Sequence, residues 1–75
     1  MRYEKLPMER LRNLRIDRDL SQKYIAGILN MDQAAYSKYE LGERKVPVEA
    51  LKILADFYET SIDYLVGRTD NPKSI

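Results

Sequence analysis

Apolar residues recur at helical spacing through most of the chain, and the breaks between those runs fall on residues that cap or stop helices. Met8, Leu11 and Leu14, with Ile16 beside them, predict a first helix over about Met8–Arg18. Pro7 suits its first turn, where a missing N–H costs nothing. Ser21 is a good N-cap for a second helix over about Gln22–Leu29, with Ile25, Ala26 and Leu29 on its apolar side. Asn30 tolerates the left-handed conformation that ends a helix, and Met31 sets an apolar anchor in the turn. Asp32 then caps a third helix, Gln33–Leu41, whose apolar face runs through Ala35, Tyr36 and Tyr39 and which Gly42 stops. Residues 42–47 form a charged loop, and Pro47 opens a fourth helix, Val48–Tyr58, with Leu51, Leu54, Ala55 and Tyr58 on one face. Thr60 and Ser61 break it; Ser61 caps a short fifth helix through Val66, which Gly67 ends. Residues 1–7 read as a short arm and 68–75 as a flexible polar tail. The expectation is a single all-α domain over residues 1–75, five short helices around a core drawn from about 8–67.

Composition narrows what such a domain can do. At 75 residues it lies near the lower limit for a self-sufficient core. No segment approaches the roughly 18 apolar residues that span a bilayer, and nothing reads as a signal peptide, so no membrane association and a cytoplasmic location are expected. The chain has no cysteine and no histidine, which removes disulfides, thiolate and imidazole metal ligands, and the usual general base. Neither an enzyme nor a cofactor is expected. Net charge is only +1, but it is unevenly spread. Residues 1–45 carry ten Lys and Arg against seven Asp and Glu, whereas residues 46–75 carry three against five. The basic excess lies with the first three helices, where it could meet phosphates.

The stretch from Leu20 to Gly42 is the most specific feature. Two short helices joined by a tight turn form the arrangement that lets the second helix lie in a DNA major groove. By 100° steps, Gln33, Ala34, Ser37 and Lys38 share the face of helix 3 opposite Tyr36 and Tyr39, and Ala35 lies at its flank. That face is the one expected to enter the groove.

The ordered set Leu-Arg-x-Leu-Arg at 11–15, Leu-Ser-Gln at 20–22, Ile-Ala at 25–26, Ser-Lys-Tyr-Glu-x-Gly at 37–42, Pro47, Leu-x-x-Leu-Ala at 51–55 and Ile-Asp-Tyr-Leu at 62–65 resembles the phage-repressor type of helix-turn-helix domain, the Cro/cI-like or xenobiotic-response-element family. The resemblance covers roughly residues 8–67 and implies a five-helix lambda-repressor-like fold with the helix-turn-helix at helices 2 and 3. It implies that Gln22 contacts a DNA phosphate and that Gln33 reaches base edges, where glutamine can bond bidentately to adenine N6 and N7. Ala34, Ser37 and Lys38 would complete the base-reading set. Arg44 and Lys45 would lie along the DNA backbone. It also pairs Arg15 with Glu40 as an ion pair fixing helix 3 against helix 1. Asp32 departs from the serine or threonine usual in the family and sets a carboxylate near the phosphates; Asn30 stands where glycine is commoner.

The remaining arginines of helix 1, Arg10, Arg12 and Arg18, read mostly as a solvated face, with Arg10 and Arg12 as further phosphate candidates. Tyr36, Tyr39 and Tyr58 are expected as buried rings with hydroxyls reaching water, and Tyr24 as a phosphate contact on the early turn of helix 2. Ile53 and Phe57 form an i, i+4 pair on a second face of helix 4, and with Tyr64 they make a candidate dimer surface. The expected function is a sequence-specific DNA-binding transcriptional regulator, a repressor binding a palindromic operator as a homodimer. Two alternatives stand beside it: an antitoxin holding a toxin (or an anti-repressor partner) through another face, and a protein-interaction module that no longer binds DNA. The latter would suit the low net charge and Asp32.

Overall fold

The five helices begin and end by a small set of local devices, and these set the fold. The computed structural model describes residues 8–73, which form α1 (Glu9–Asp17), α2 (Gln22–Ile28), α3 (Gln33–Leu41), α4 (Val48–Tyr58) and α5 (Ile62–Leu65). The expected arm, with Pro7, lies outside the described residues, as do residues 74 and 75. Three helices start on a side-chain cap: Ser21 Oγ, Asp32 Oδ1 and Ser61 Oγ accept from the amides of Tyr24, Ala35 and Tyr64 at 3.0, 2.9 and 3.0 Å. Capping satisfies amides that a helix start would otherwise orphan.

Every helix ends in the same paired-bond turn with one residue in the left-handed region. Gly42 and Gly67 fill that place for α3 and α5, with φ of 76° and 83°. Asp19, Asn30 and Glu59 fill it for α1, α2 and α4, with φ of 56°, 59° and 56°. After α2, the amides of Asn30 and Met31 reach back to the carbonyls of Gly27 and Ala26 at 3.1 and 2.9 Å. That closes the turn of the helix-turn-helix. Aspartate and glutamate are poorer than glycine in this conformation, so α1 and α4 stop at some cost in backbone strain. Glu59, rather than Thr60 and Ser61, is thus the breaking point of α4.

Each helix contributes one side chain to the centre of the core: Leu11, Ile25, Tyr36, Leu54 and Leu65 are all essentially inaccessible. Ala26, Tyr39, Leu51, Ala55 and Tyr58 surround them. A backbone bond from Met8 N to Glu40 O at 3.1 Å ties the start of α1 to the end of α3. Ile16, expected with the apolar set of α1, is exposed.

Arg12 and Arg18 are exposed as expected of a solvated face, whereas Arg10 is half-buried and engaged. Arg10 Nη1 donates to the carbonyls of Tyr64 (3.0 Å) and Thr69, its Nη2 pairs with Asp70 at 2.7 Å, and its guanidinium lies 4.2 Å from the Tyr64 ring centroid. Thr60 Oγ1 donates to Pro72 O at 2.6 Å. Residues 69–72, expected as part of a flexible tail, are therefore held against α1 and the turn after α4. Arg18 stacks 5.0 Å from the Tyr58 ring and donates to Tyr58 O at 3.3 Å. Arg12 and Arg18 both remain exposed, and Arg12 lines a recess shared with α2 and α3.

Candidate nucleic-acid interface

A buried carboxylate sits behind the exposed face of α3. Glu40 is 6 % exposed. Arg15 donates to it in a fork, Nε to Oε2 at 2.8 Å and Nη2 to Oε1 at 3.1 Å, while Arg15 Nη1 holds the Leu20 carbonyl at 2.9 Å. The hydroxyl of Tyr36 donates to Oε2 at 2.6 Å, and the Gln22 amide donates to Oε1 at 3.0 Å. Four donors thus surround one ion, the condition under which a carboxylate can be buried. Burial alone would raise the Glu40 carboxyl, but the hydrogen bonds from Arg15, Tyr36 and Gln22 outweigh it and hold its pKa below the ordinary value. Its bond holds the Arg15 guanidinium charged more firmly than usual. Burial, then the bond to Glu40, drives the Tyr36 phenol far above its ordinary pKa.

This network reaches the protein surface in two steps. A carboxylate only accepts, so Gln22 must turn its NH2 group to Glu40 and its carbonyl outward. Gln33 Nε2 then donates to that carbonyl at 3.4 Å. Gln33 is left with its own carbonyl oxygen and one N–H, one acceptor and one donor on a single exposed amide. The buried charge therefore sets the polarity of the first residue of α3.

Gln33, Ala34 and Lys38 are exposed on α3, and Ser37 is half-buried. Ser37 lines a polar recess with Arg12, Arg15, Gln22 and Glu40, so it faces α1 more than the open surface. Leu41 is 58 % exposed and extends the Ala34–Ser37–Lys38 row by one turn. The sequence carried no signal for it beyond its place at the end of helix 3; it lies at the rim of the recess lined by Glu9 and Arg12. Arg44 and Lys45 are exposed in the following loop, which the amides of Glu43 and Arg44 anchor to Lys38 O at 3.0 and 3.3 Å. Arg44 lies 6.0 Å from the Tyr39 ring.

Several expectations change in the structure. Gln22 is half-buried, with both ends of its amide engaged, where a free phosphate contact was expected. Tyr24 is 54 % exposed, with one side of its ring towards Phe57 on α4, centroid to centroid 6.3 Å. Tyr36 and Tyr58 do not send hydroxyls to water. Tyr36 bonds Glu40, whereas Tyr58 Oη is buried with no hydrogen-bond partner, and its pKa is pushed up to about 12 by that burial. The trio Ile53, Phe57 and Tyr64 is divided: Phe57 packs with Tyr24 and Tyr58, and Tyr64 is covered by Arg10. No group of residues that could hold a metal occurs, and no helix is long and apolar enough to cross a membrane, among the described residues.

The Helix-turn-helix family profile (HTH_3) matches residues 11–65, which include every element of this network. The chain is 38 % identical over 64 residues to the uncharacterized HTH-type transcriptional regulator YobD of Bacillus subtilis, covering 85 % of this chain and 57 % of that protein. It is 39 % identical over 61 residues to the HTH-type transcriptional regulator AnsR of Bacillus subtilis, covering 81 % and 53 %. It is 33 % identical over 61 residues to the cryptic phage CTXphi transcriptional repressor RstR of Vibrio cholerae, covering 81 % and 55 %. The chain thus spans about half the length of the curated relatives it matches. No solved structure matches it significantly. Five short helices, a tight turn between the second and third, and a family match running from within the first to the end of the fifth agree: the chain belongs to the Cro/cI-like helix-turn-helix family, whose domains bind DNA and are not enzymes.

Proposed function

We propose that this chain is a sequence-specific DNA-binding transcriptional regulator that acts as a repressor, binding a roughly palindromic operator as a homodimer. The observation that carries the proposal is the oriented amide of Gln33, exposed at the start of α3 and set by Glu40 through Gln22. One acceptor and one donor side by side match adenine, which offers N6–H and N7 in the major groove. Lys38 and Ala34 would add contacts further along the helix, and Ser37 would contribute at the edge of the groove. Arg44 and Lys45 would position the domain on phosphates. Gln22 serves in this proposal as a positioning residue first, and any phosphate contact from it or from Tyr24 is secondary.

Repression needs no further domain, since a bound protein excludes a polymerase from the same DNA; the phage repressor among the relatives supports that direction. One recognition helix covers too few base pairs for a unique genomic address. Two copies related by a twofold axis would set their helices about 34 Å apart. The described part of the chain measures 29 by 25 by 20 Å, so two copies side by side suit that spacing. Ile53 and Phe57, with Tyr24 beside them, remain the apolar candidates for joining the copies, and Tyr64 is the weaker member. Selection from a randomised DNA pool, followed by footprinting, tests the proposal. It expects an enriched inverted repeat with adenine at one position per half-site, lost on Gln33→Ala. Equal retention of all sequences would contradict it.

A further inference from the structure

An apolar cavity opens beside the candidate phosphate-binding loop. It has a volume of about 380 Å³ and is lined by Met8, Val46, Pro47, Val48, Leu51 and Val66 together with the two cationic residues Arg44 and Lys45, both of them exposed. That volume lies in the range of small-molecule sites, and a mainly apolar lining with a few charged groups is their usual make-up. Neither Arg44 nor Lys45 has a carboxylate within ion-pair distance among the described residues. The cavity wall is continuous with the loop, since Val46 follows Lys45 directly.

We propose that this cavity binds a small amphipathic anion, its apolar chain against Val46, Leu51 and Val66 and its anionic head at Arg44 and Lys45. Apolar walls with two exposed cations complement such a molecule at both ends, and neither a neutral apolar ligand nor a simple inorganic anion would use both. The few walls are far too small an area for a stable dimer, which buries about 800 Å² on each partner, so a small molecule suits it better than a second copy. The head would occupy the two cations proposed above to hold DNA phosphates. Ligand and DNA would then exclude one another, making the site an effector site. The exclusion rests on the DNA-binding proposal; the site itself does not.

Decanoate is a direct probe, with decyltrimethylammonium as the same chain carrying the opposite charge. Both are titrated into the whole chain below micelle-forming concentrations and followed by amide NMR. Saturable shifts confined to Val46, Val48, Leu51 and Val66 are expected for decanoate, with the cation at least about tenfold weaker. Lys45→Gln should weaken decanoate about threefold to fivefold, the scale of one exposed charge contact. Val48→Asp, at a residue 65 % exposed and so safe for folding, should weaken it more by adding a like charge to the lining. Equal binding of the two probes, or shifts spread over the whole surface, would overturn the site. Shifts at these residues that grow with protein concentration alone would overturn it too, because a second copy would be the occupant. On a selected DNA site, decanoate should raise the apparent Kd in proportion to its concentration, and an unchanged Kd at saturating decanoate would overturn the effector role. If Lys45→Gln weakens decanoate but leaves DNA binding intact, the site stands and the phosphate role of Lys45 fails.

Discussion

The two halves of the molecule are held together by different chemistry. In the half made by α1, α2 and α3, the buried hub is an ion, Glu40, with donors from all three helices. In the half made by α4 and α5, the buried centre of Leu51, Leu54, Ala55 and Leu65 is apolar. Side-chain hydrogen bonds reach it only at its margin through Arg10, Arg18 and Thr60, and the hydroxyl of its deeply buried phenol, Tyr58, has no partner. Apolar packing stabilises without direction, whereas hydrogen bonds to a buried charge fix orientation. The polar hub lies where the tilt of one helix and the polarity of one amide bear on what the surface can recognise. It is absent where only attachment is needed.

The difference should show most strongly in removal of the hub. Glu40→Ala leaves Arg15 buried without its partner and is expected to cost about 3–5 kcal/mol in denaturant unfolding. A loss under about half a kcal/mol, the scale of an exposed pair, would put Glu40 on the same footing as a surface ion.

Phenol deletion compares the two halves directly. Tyr36→Phe removes a hydrogen bond to a charge and should cost about 1.5–3 kcal/mol. Tyr58→Phe removes a buried hydroxyl that bonds nothing, so it should cost nothing and is expected to stabilise by up to about 1 kcal/mol. Equal losses at the two positions would erase the contrast between the halves.

The pH dependence of unfolding sharpens it further. Glu40 has a lower pKa folded than unfolded, so its contribution is full above about pH 4.3, the unfolded value, and is lost as pH falls through the folded one. The two phenols are shifted the other way, so their contribution is full below about pH 10 and is lost as pH rises, for Tyr58 through about 12. Urea unfolding across pH should show an acid arm that Glu40→Gln flattens and an alkaline arm that it leaves largely in place. An acid arm unchanged in that variant would contradict the role of Glu40.

The smallest effect concerns the turn at the end of α4. Glu59→Gly should stabilise by about 0.5–1 kcal/mol, because glycine relieves the left-handed strain at some entropic cost. A loss of stability would mean that the Glu59 side chain makes a contact worth more than the strain.

Much of this was readable from local chemistry. The bounds Gln33–Leu41 and Val48–Tyr58 agree with those expected, since Asp32, Gly42 and Pro47 act on the chain within a turn of themselves. Glu59 was not legible as a left-handed residue, because glutamate avoids that conformation, and Asp19, of a type that visits it occasionally, carried no signal beyond its residue type. Partners distant in sequence were the least accessible. Nothing in the periodicity says that Arg10 meets Asp70, that Tyr24 meets Phe57, or that Tyr36 and Tyr58 differ in their hydroxyls. At the candidate interface the residue types were legible and their engagement was not. Gln22 reads as a free hand on the surface, and only the approach of α3 to α1 shows that Glu40 already holds it.

Gln22→Ala, with DNA binding compared on a selected site and on random sequence over a range of salt, tests most directly whether a buried charge sets what the surface reads. The variant cuts Gln33 from Glu40 and leaves the Arg15–Glu40 pair in place. Preference for adenine at the Gln33 position is expected to fall by roughly 1 kcal/mol, with binding to random sequence and the salt slope unchanged. A uniform loss on both DNAs, with the salt slope reduced by about one unit, would instead make Gln22 a phosphate contact and contradict the relay from Glu40 to Gln33.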